Sequence, residues 1–249
     1  MMAFNPFTLE GKTILVTGAS SGIGRGVAVC CSKMGATVII NGRNEQRLKE
    51  TLSLMEGNVH SVAVGDLTIN NVLAPLVNSL PKLDGVVHCA GLGQRVLAKL
   101  ATEHDVDSVM NINFRGPVLL QTELLQQKKI NKNASIVFMA SIASWSPSIG
   151  NSFYSASKGA IISYANCLSL ELAHRGIRVN CISPAMVWTD LILKDGISEE
   201  KLKEDESKYP LKRYGKPEDI ANLVIYMLSD ASSWMTGSNV AITGGGKLS

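Results

Sequence analysis

An α/β fold with a doubly wound, seven-stranded parallel sheet and helices on both faces is predicted by three observations on this 249-residue sequence. Short Val/Ile-rich runs alternate with helical patterns along the chain. The runs are continuously apolar, as expected of parallel strands covered on both faces. No internal repeat, linker or low-complexity stretch breaks the alternation, so residues 1–249 read as a single domain.

The first strand, residues 13–16, leads into the glycine-rich turn Thr17-Gly18-Ala19-Ser20-Ser21-Gly22-Ile23-Gly24 and a helix over 22–34. Strands at 37–40 and 61–64 alternate with helices at 45–55 and 69–80. The strand at 85–89 precedes a long helical pattern over 102–128, and the strand at 135–139 precedes another over 153–174. After the strand at 178–182, residues 189–213 are polar, charged and helix-prone over 197–208, where a lid over an active-site cleft would lie. Pro217, followed by the acidic Glu218 and Asp219, suits the start of a helix over 217–228. The last strand is 239–242.

Composition narrows the function. A hydrophobic content of 45% with 18% charged residues is ordinary for a soluble globular protein. A net charge of +3 is too small to imply a nucleic-acid partner. The basic clusters Lys128, Lys129, Lys132 and Lys208, Lys212, Arg213 read as solvated surface. Five cysteines without C-x-x-C spacing, two of them the adjacent Cys30-Cys31 in an apolar helical stretch, point to free thiols in a reducing compartment. His60, His88, His104 and His174 give no metal-ligand spacing. The first residues carry no signal-peptide pattern. The uncharged run 133–157 is broken by serines, Pro147 and Gly150, and reads as a strand and a loop instead of a membrane span. A cytoplasmic protein with no membrane partner is expected.

Gly18, Gly22 and Gly24, with Ser20, Ser21 and Ile23 among them, lie between a strand and a helix. A backbone without Cβ can turn tightly there and approach a pyrophosphate, while the helix N-terminus offers N–H groups to its charge. This strand–turn–helix context makes a Rossmann-type dinucleotide site. Binding of a ribose 2′-hydroxyl would call for an acid at the end of the second strand. Here Asn41-Gly42-Arg43-Asn44 carries none. Arg43 either offers its guanidinium to a 2′-phosphate, which favours NADP over NAD, or is a surface arginine. Asp66 could bind the adenine amino group or cap the following helix.

Tyr154 and Lys158 are four residues apart in a helical pattern and so share a face. A cation beside a phenol favours the phenolate and lowers the tyrosine pKa from its usual value of about 10. That makes Tyr154 a workable acid/base near neutral pH.

With these motifs the chain resembles the short-chain dehydrogenase/reductase family across essentially its whole length. The matching pieces are Thr17 to Gly24, Asp66-Leu67, Cys89-Ala90-Gly91, Asn113, Ser141, Tyr154/Lys158, Ile182-Ser183-Pro184 with Thr189, Arg213 to Ala221, and Gly237 to Gly245. The resemblance implies that Ser141 hydrogen-bonds the substrate oxygen and that Tyr154 donates the proton in reduction. Lys158 would bind the nicotinamide ribose and acidify Tyr154. Asn113 would hold a water linking Lys158 to solvent, with Asn111 the competing position. Val187 and Thr189 would orient the carboxamide, and Leu67, Ala90, Gly91 and Pro184 would line the cofactor. A homotetramer is the implied assembly.

Three departures touch cofactor packing: His88-Cys89 replaces the family's usual two asparagines, Ala185 a glycine, and Thr243 an aspartate. The leading reading is NADPH-dependent reduction of a small-molecule ketone or aldehyde. The alternatives are an NAD-dependent alcohol dehydrogenase, which Arg43 discriminates against, and a non-catalytic NADP-binding sensor or scaffold, which the intact set Asn113, Ser141, Tyr154 and Lys158 disfavours. Residues 92–96 and 142–151, Met186, Trp188 and the lid should line an apolar substrate pocket. The family's 3-oxoacyl carrier-protein reductases are one match, weakened by Leu170 where a basic residue is common.

Overall fold

The computed structural model describes residues 5–193 and 198–246. Seven parallel strands form one sheet in the order β3-β2-β1-β4-β5-β6-β7. They are β1 Thr13–Thr17, β2 Thr37–Gly42, β3 Ser61–Val64, β4 Leu83–His88, β5 Ile130–Met139, β6 Arg178–Pro184 and β7 Asn239–Ile242. The order reverses between β1 and β4, which opens a crevice at their carboxyl ends.

Strand side chains alternate between two cores. Ile14, Val16, Val38, Ile40, Val87, Val137 and Ile182 pack on one side with helices α1 (Gly22–Lys33), α2 (Glu45–Ser53) and α9 (Pro217–Leu228). Leu15, Ile39, Val86, Ile136, Phe138 and Cys181 pack on the other with α3 (Asn70–Ser79), α5 (Gly116–Gln126) and α6 (Ser152–Leu172). The interior strands β1, β2, β4, β5 and β6 are thus apolar on both faces, which explains their unbroken runs, while the edge strands β3 and β7 are partly exposed.

The helix expected over 102–128 is not one α-helix. It is α4 (Glu103–Met110), a π-helical turn (Asn111–Arg115) and α5. The turn holds one surplus residue, with Gly116 N–H reaching the Asn111 carbonyl. The short helix α7 (Asp190–Leu193) and α8 (Glu199–Glu206) fall within the expected lid, whose residues 194–197 lie outside the described set.

His88 ends β4 in a buried setting, stacked on Phe138 with ring centroids 4.4 Å apart. Its Nε2 lies 3.1 Å from Gln121 Oε1, while its Nδ1 has no hydrogen-bond partner. Burial pushes its pKa from 6.5 down to about 4, only partly offset by the Gln121 hydrogen bond. The unfolded chain therefore takes up a proton that the folded chain refuses. Stability is complete above the unfolded value and is lost as pH falls from 6.5 toward 4. Between about pH 7 and pH 5 the wild type should lose roughly 2 kcal/mol more than a His88→Asn variant, measured by urea unfolding at both pH values.

Candidate active site

The turn after β1 is shaped by two glycines in the left-handed region. Gly18 has φ +64°, and a Cβ there would lie 2.7 Å from the Ala90 nitrogen. The turn therefore abuts the end of β4. Thr17 Oγ1 accepts from Cys89 N at 3.1 Å and Ala90 N at 3.3 Å, tying the two strand ends at the crevice. Gly22, at φ +52°, opens α1, and a Cβ there would meet Thr189 Cγ2 at 3.1 Å. Ser21, the N-cap, makes no side-chain capping hydrogen bond, and the first turn of α1 carries no acid. An anion can use those N–H groups and the helix dipole. Behind the turn, Arg25 Nη2 donates to Ser20 O at 2.7 Å and Thr51 Oγ1 to Ala19 O at 2.9 Å. These residues fit a dinucleotide pyrophosphate.

Arg43 follows β2, is well exposed, and lies 3.6 Å from Asp66 beyond β3. Asp66 Oδ1 accepts from Thr68 N at 2.9 Å and from Thr68 Oγ1 at 2.7 Å. Partial burial raises the Asp66 pKa, but the Thr68 hydrogen bonds and Arg43 outweigh it and hold the carboxyl below its usual range. The helix-cap alternative for Asp66 is corrected: Ile69 is the N-cap of α3, and Asp66 shapes the turn before it. Leu67 is buried beneath this turn. Sequence patterning showed neither the Arg43–Asp66 pair nor a second one, Arg47 Nη2 to Asp190 Oδ2 at 2.5 Å, which joins α2 to α7.

Tyr154 and Lys158 lie in the first half of α6. Lys158 Nζ is 5.7 Å from the Tyr154 ring centroid and donates to Met139 O, at the end of β5, at 2.8 Å. Burial pushes the Lys158 pKa down to about 8, partly opposed by the Cys89 and Cys181 thiols. The π turn aims Asn113 inward, where it is 1% exposed. Its Oδ1 accepts from Leu92 N at 2.7 Å; its Nδ2 donates to Leu92 O at 2.9 Å and Ser157 Oγ at 3.0 Å. Ser157 Oγ in turn donates to Tyr154 O at 2.7 Å. Between the competing asparagines, then, Asn113 is the one fastened to the Tyr154 helix. A Cβ on Gly91 would lie 3.5 Å from both Asn113 Oδ1 and Lys158 Nζ, so Gly91 faces the same small space.

Ser141 sits just past β5 and caps a short 3₁₀ turn, its Oγ accepting from Ala143 N at 3.1 Å. Ser155 Oγ donates to Ala143 O at 2.5 Å, tying the Ser141 loop to the helix that carries Tyr154. Pro184 ends β6, and Val187 bridges to Gly215 as an isolated pair. Thr189 follows, over the glycine turn. The predicted cofactor and catalytic residues thus converge on the carboxyl edge of the sheet. The backbone partners (Leu92, Met139, Ala143) were invisible to sequence patterning because they act through main-chain atoms.

The family model described as enoyl-(acyl carrier protein) reductase matches residues 18–247. The chain is 35% identical to the 3-oxoacyl-(acyl-carrier-protein) reductase FabG of Rickettsia felis over 237 residues, 95% of this chain and 97% of that one. A solved short chain dehydrogenase/reductase family protein superposes with a TM-score of 0.84 at 30% identity, covering 96% and 98% of the two chains. A putative NAD(P) dependent gluconate 5-dehydrogenase from Beutenbergia cavernae, solved with bound NADP, superposes at 0.87 with 29% identity, covering 97% and 98%. This chain belongs to the short-chain dehydrogenase/reductase family. It is an oxidoreductase, and among the described residues no helix is long and apolar enough to cross a membrane.

Proposed function

We propose that this enzyme reduces a ketone or aldehyde to an alcohol with NADPH. The observation that carries the reading is the buried Lys158 ammonium held beside the Tyr154 ring at 5.7 Å. When bound, NADPH supplies the hydride. In the glycine turn, Gly18, Ser20, Ser21, Gly22, Ile23 and Gly24 present their backbone to the pyrophosphate. Arg43 meets the 2′-phosphate, and the absence of an acid at the end of β2 disfavours NAD. Lys158 holds the nicotinamide ribose and stabilises phenolate at Tyr154. Tyr154 gives its proton to the substrate oxygen while the Ser141 hydroxyl donates a second hydrogen bond to it. Asn113 holds a water beside Lys158, and Val187 and Thr189 position the carboxamide.

The mouth of this site favours apolar substrates. Trp145, Ile149, Leu97, Leu100 and Leu191 are all exposed large hydrophobics on the segments around it. That suits an acyl or alkyl ketone, a 3-oxoacyl thioester among them, under a lid at about residues 189–213. A panel of carbonyl compounds, including 3-oxoacyl thioesters and sugars, scored by NADPH consumption, tests the reading; NADPH oxidation with none of them would refute it.

We place the enzyme in the cytoplasm as a homotetramer. Leu170 on α6 is 80% exposed and Trp234, shortly before β7, is 100% exposed, apolar positions that contacts between subunits would cover. Light scattering at micromolar concentration should give four times the chain mass; a monomer would overturn this.

A further inference from the structure

On the reading that the nicotinamide half of the cofactor lies against Val187 and Thr189, we propose that Glu206 is a positioning residue for that half, acting through Trp188. Glu206 ends α8. Its Oε1 accepts two hydrogen bonds, from Trp188 Nε1 at 2.9 Å and from Tyr214 N at 2.8 Å. These donors belong to two different chain segments. They run side by side, with Gly215 N donating to Met186 O at 3.0 Å and Trp188 N to Gly215 O at 2.9 Å. One carboxylate oxygen therefore fastens both segments to the end of a helix.

The neighbouring acid holds one of the two segments as well. Asp205 Oδ2 accepts from the Tyr214 hydroxyl at 2.7 Å. Tyr214 is 1% exposed and packs against the rings of Trp188 and Tyr209, with centroids 5.3 and 5.2 Å away. Acids in the last turn of a helix oppose its dipole. Glu206 and Asp205 both sit there, and both have partners outside the helix, so their placement serves the contact and not the helix itself. Hydrogen bonding from Trp188 and Tyr214 also keeps the Glu206 carboxyl ionised to lower pH than usual.

The link to the cofactor is short. Trp188 lies between Val187 and Thr189 in sequence, and Thr189 packs over Gly22 of the phosphate turn. Releasing the indole frees the segment that should orient the carboxamide, while the glycine turn keeps its own hydrogen bonds to Asn41, Arg25 and Thr51. Glu206 thus acts mainly at the nicotinamide end and couples the seating of α8 to it.

The test uses the full-length enzyme and two probes: NADPH, and adenosine 2′,5′-bisphosphate, which lacks the nicotinamide half. Glu206→Ala should weaken NADPH binding by about tenfold and leave the bisphosphate Kd within about twofold. Glu206→Gln keeps an acceptor oxygen and should restore NADPH binding. Equal weakening of both probes would show a merely structural role and overturn the proposal. No change with either probe, or failure of the glutamine to restore binding, would overturn it too. If neither probe binds the wild type, the cofactor reading itself fails, which is a separate outcome.

Discussion

Tyr154→Phe is expected to slow carbonyl reduction by roughly 10²–10⁴-fold, the range for loss of a general acid, while folding and NADPH binding survive. The ring stays, so its packing near Lys158 is kept; only the oxygen that carries the proton is removed. Lys158→Ala should slow reduction similarly but also weaken NADPH binding, because one ammonium serves both the ribose and the phenol. The Lys158 pKa of about 8 adds a pH signature. Its charge is present below that value and is lost above it, so kcat/KM for reduction should fall as pH rises through about 8 in the free enzyme. Single-turnover rates and cofactor titrations on both variants separate proton donation from binding. Near wild-type turnover by Tyr154→Phe would refute the assignment.

Arg43→Asp should cost roughly 10–100-fold in kcat/KM with NADPH, the scale of one charge-assisted hydrogen bond. NADH should lose little. The new carboxylate would repel a 2′-phosphate yet stand where a 2′-hydroxyl acceptor belongs. It would also face Asp66 instead of pairing with it across 3.6 Å. Steady-state kinetics with both cofactors on wild type and variant measure the reversal. A wild type that already prefers NADH would refute the reading of the β2 end.

The sheet was legible because its interior strands are apolar on both faces, and the glycine turn because a strand precedes it and a helix follows. Tyr154 and Lys158 share a face by helical spacing alone. The break in the helix over 102–128 was not legible. Nothing in Asn111-Ile112-Asn113-Phe114-Arg115 forbids α-helix, and the wider turn is chosen by what Asn113 meets: Leu92 and Ser157. The partners of Glu206 and Arg47 were equally hidden, since no local pattern brings together residues from distant segments. Asp66 shows a third limit. Its type allowed several local roles, and only the placement of Arg43 and Thr68 separated them.

The surplus residue at Asn111–Arg115 makes α4 and α5 one rod with two phases. An ordinary helix advances about 100° per residue, so an added residue turns everything after it by that angle relative to an uninterrupted rod. Upstream, Asp105 and Ser108 point to Gln94 and hold the loop after β4. Downstream, Leu120 and Leu124 point to the sheet core. In the language of insertions, trimming a single residue here would bring the two halves into step and swing Asn113 or its neighbours off their walls. A change of length by one is therefore a different kind of lesion from any substitution in the turn, because it misdirects a whole helix while altering no other side chain.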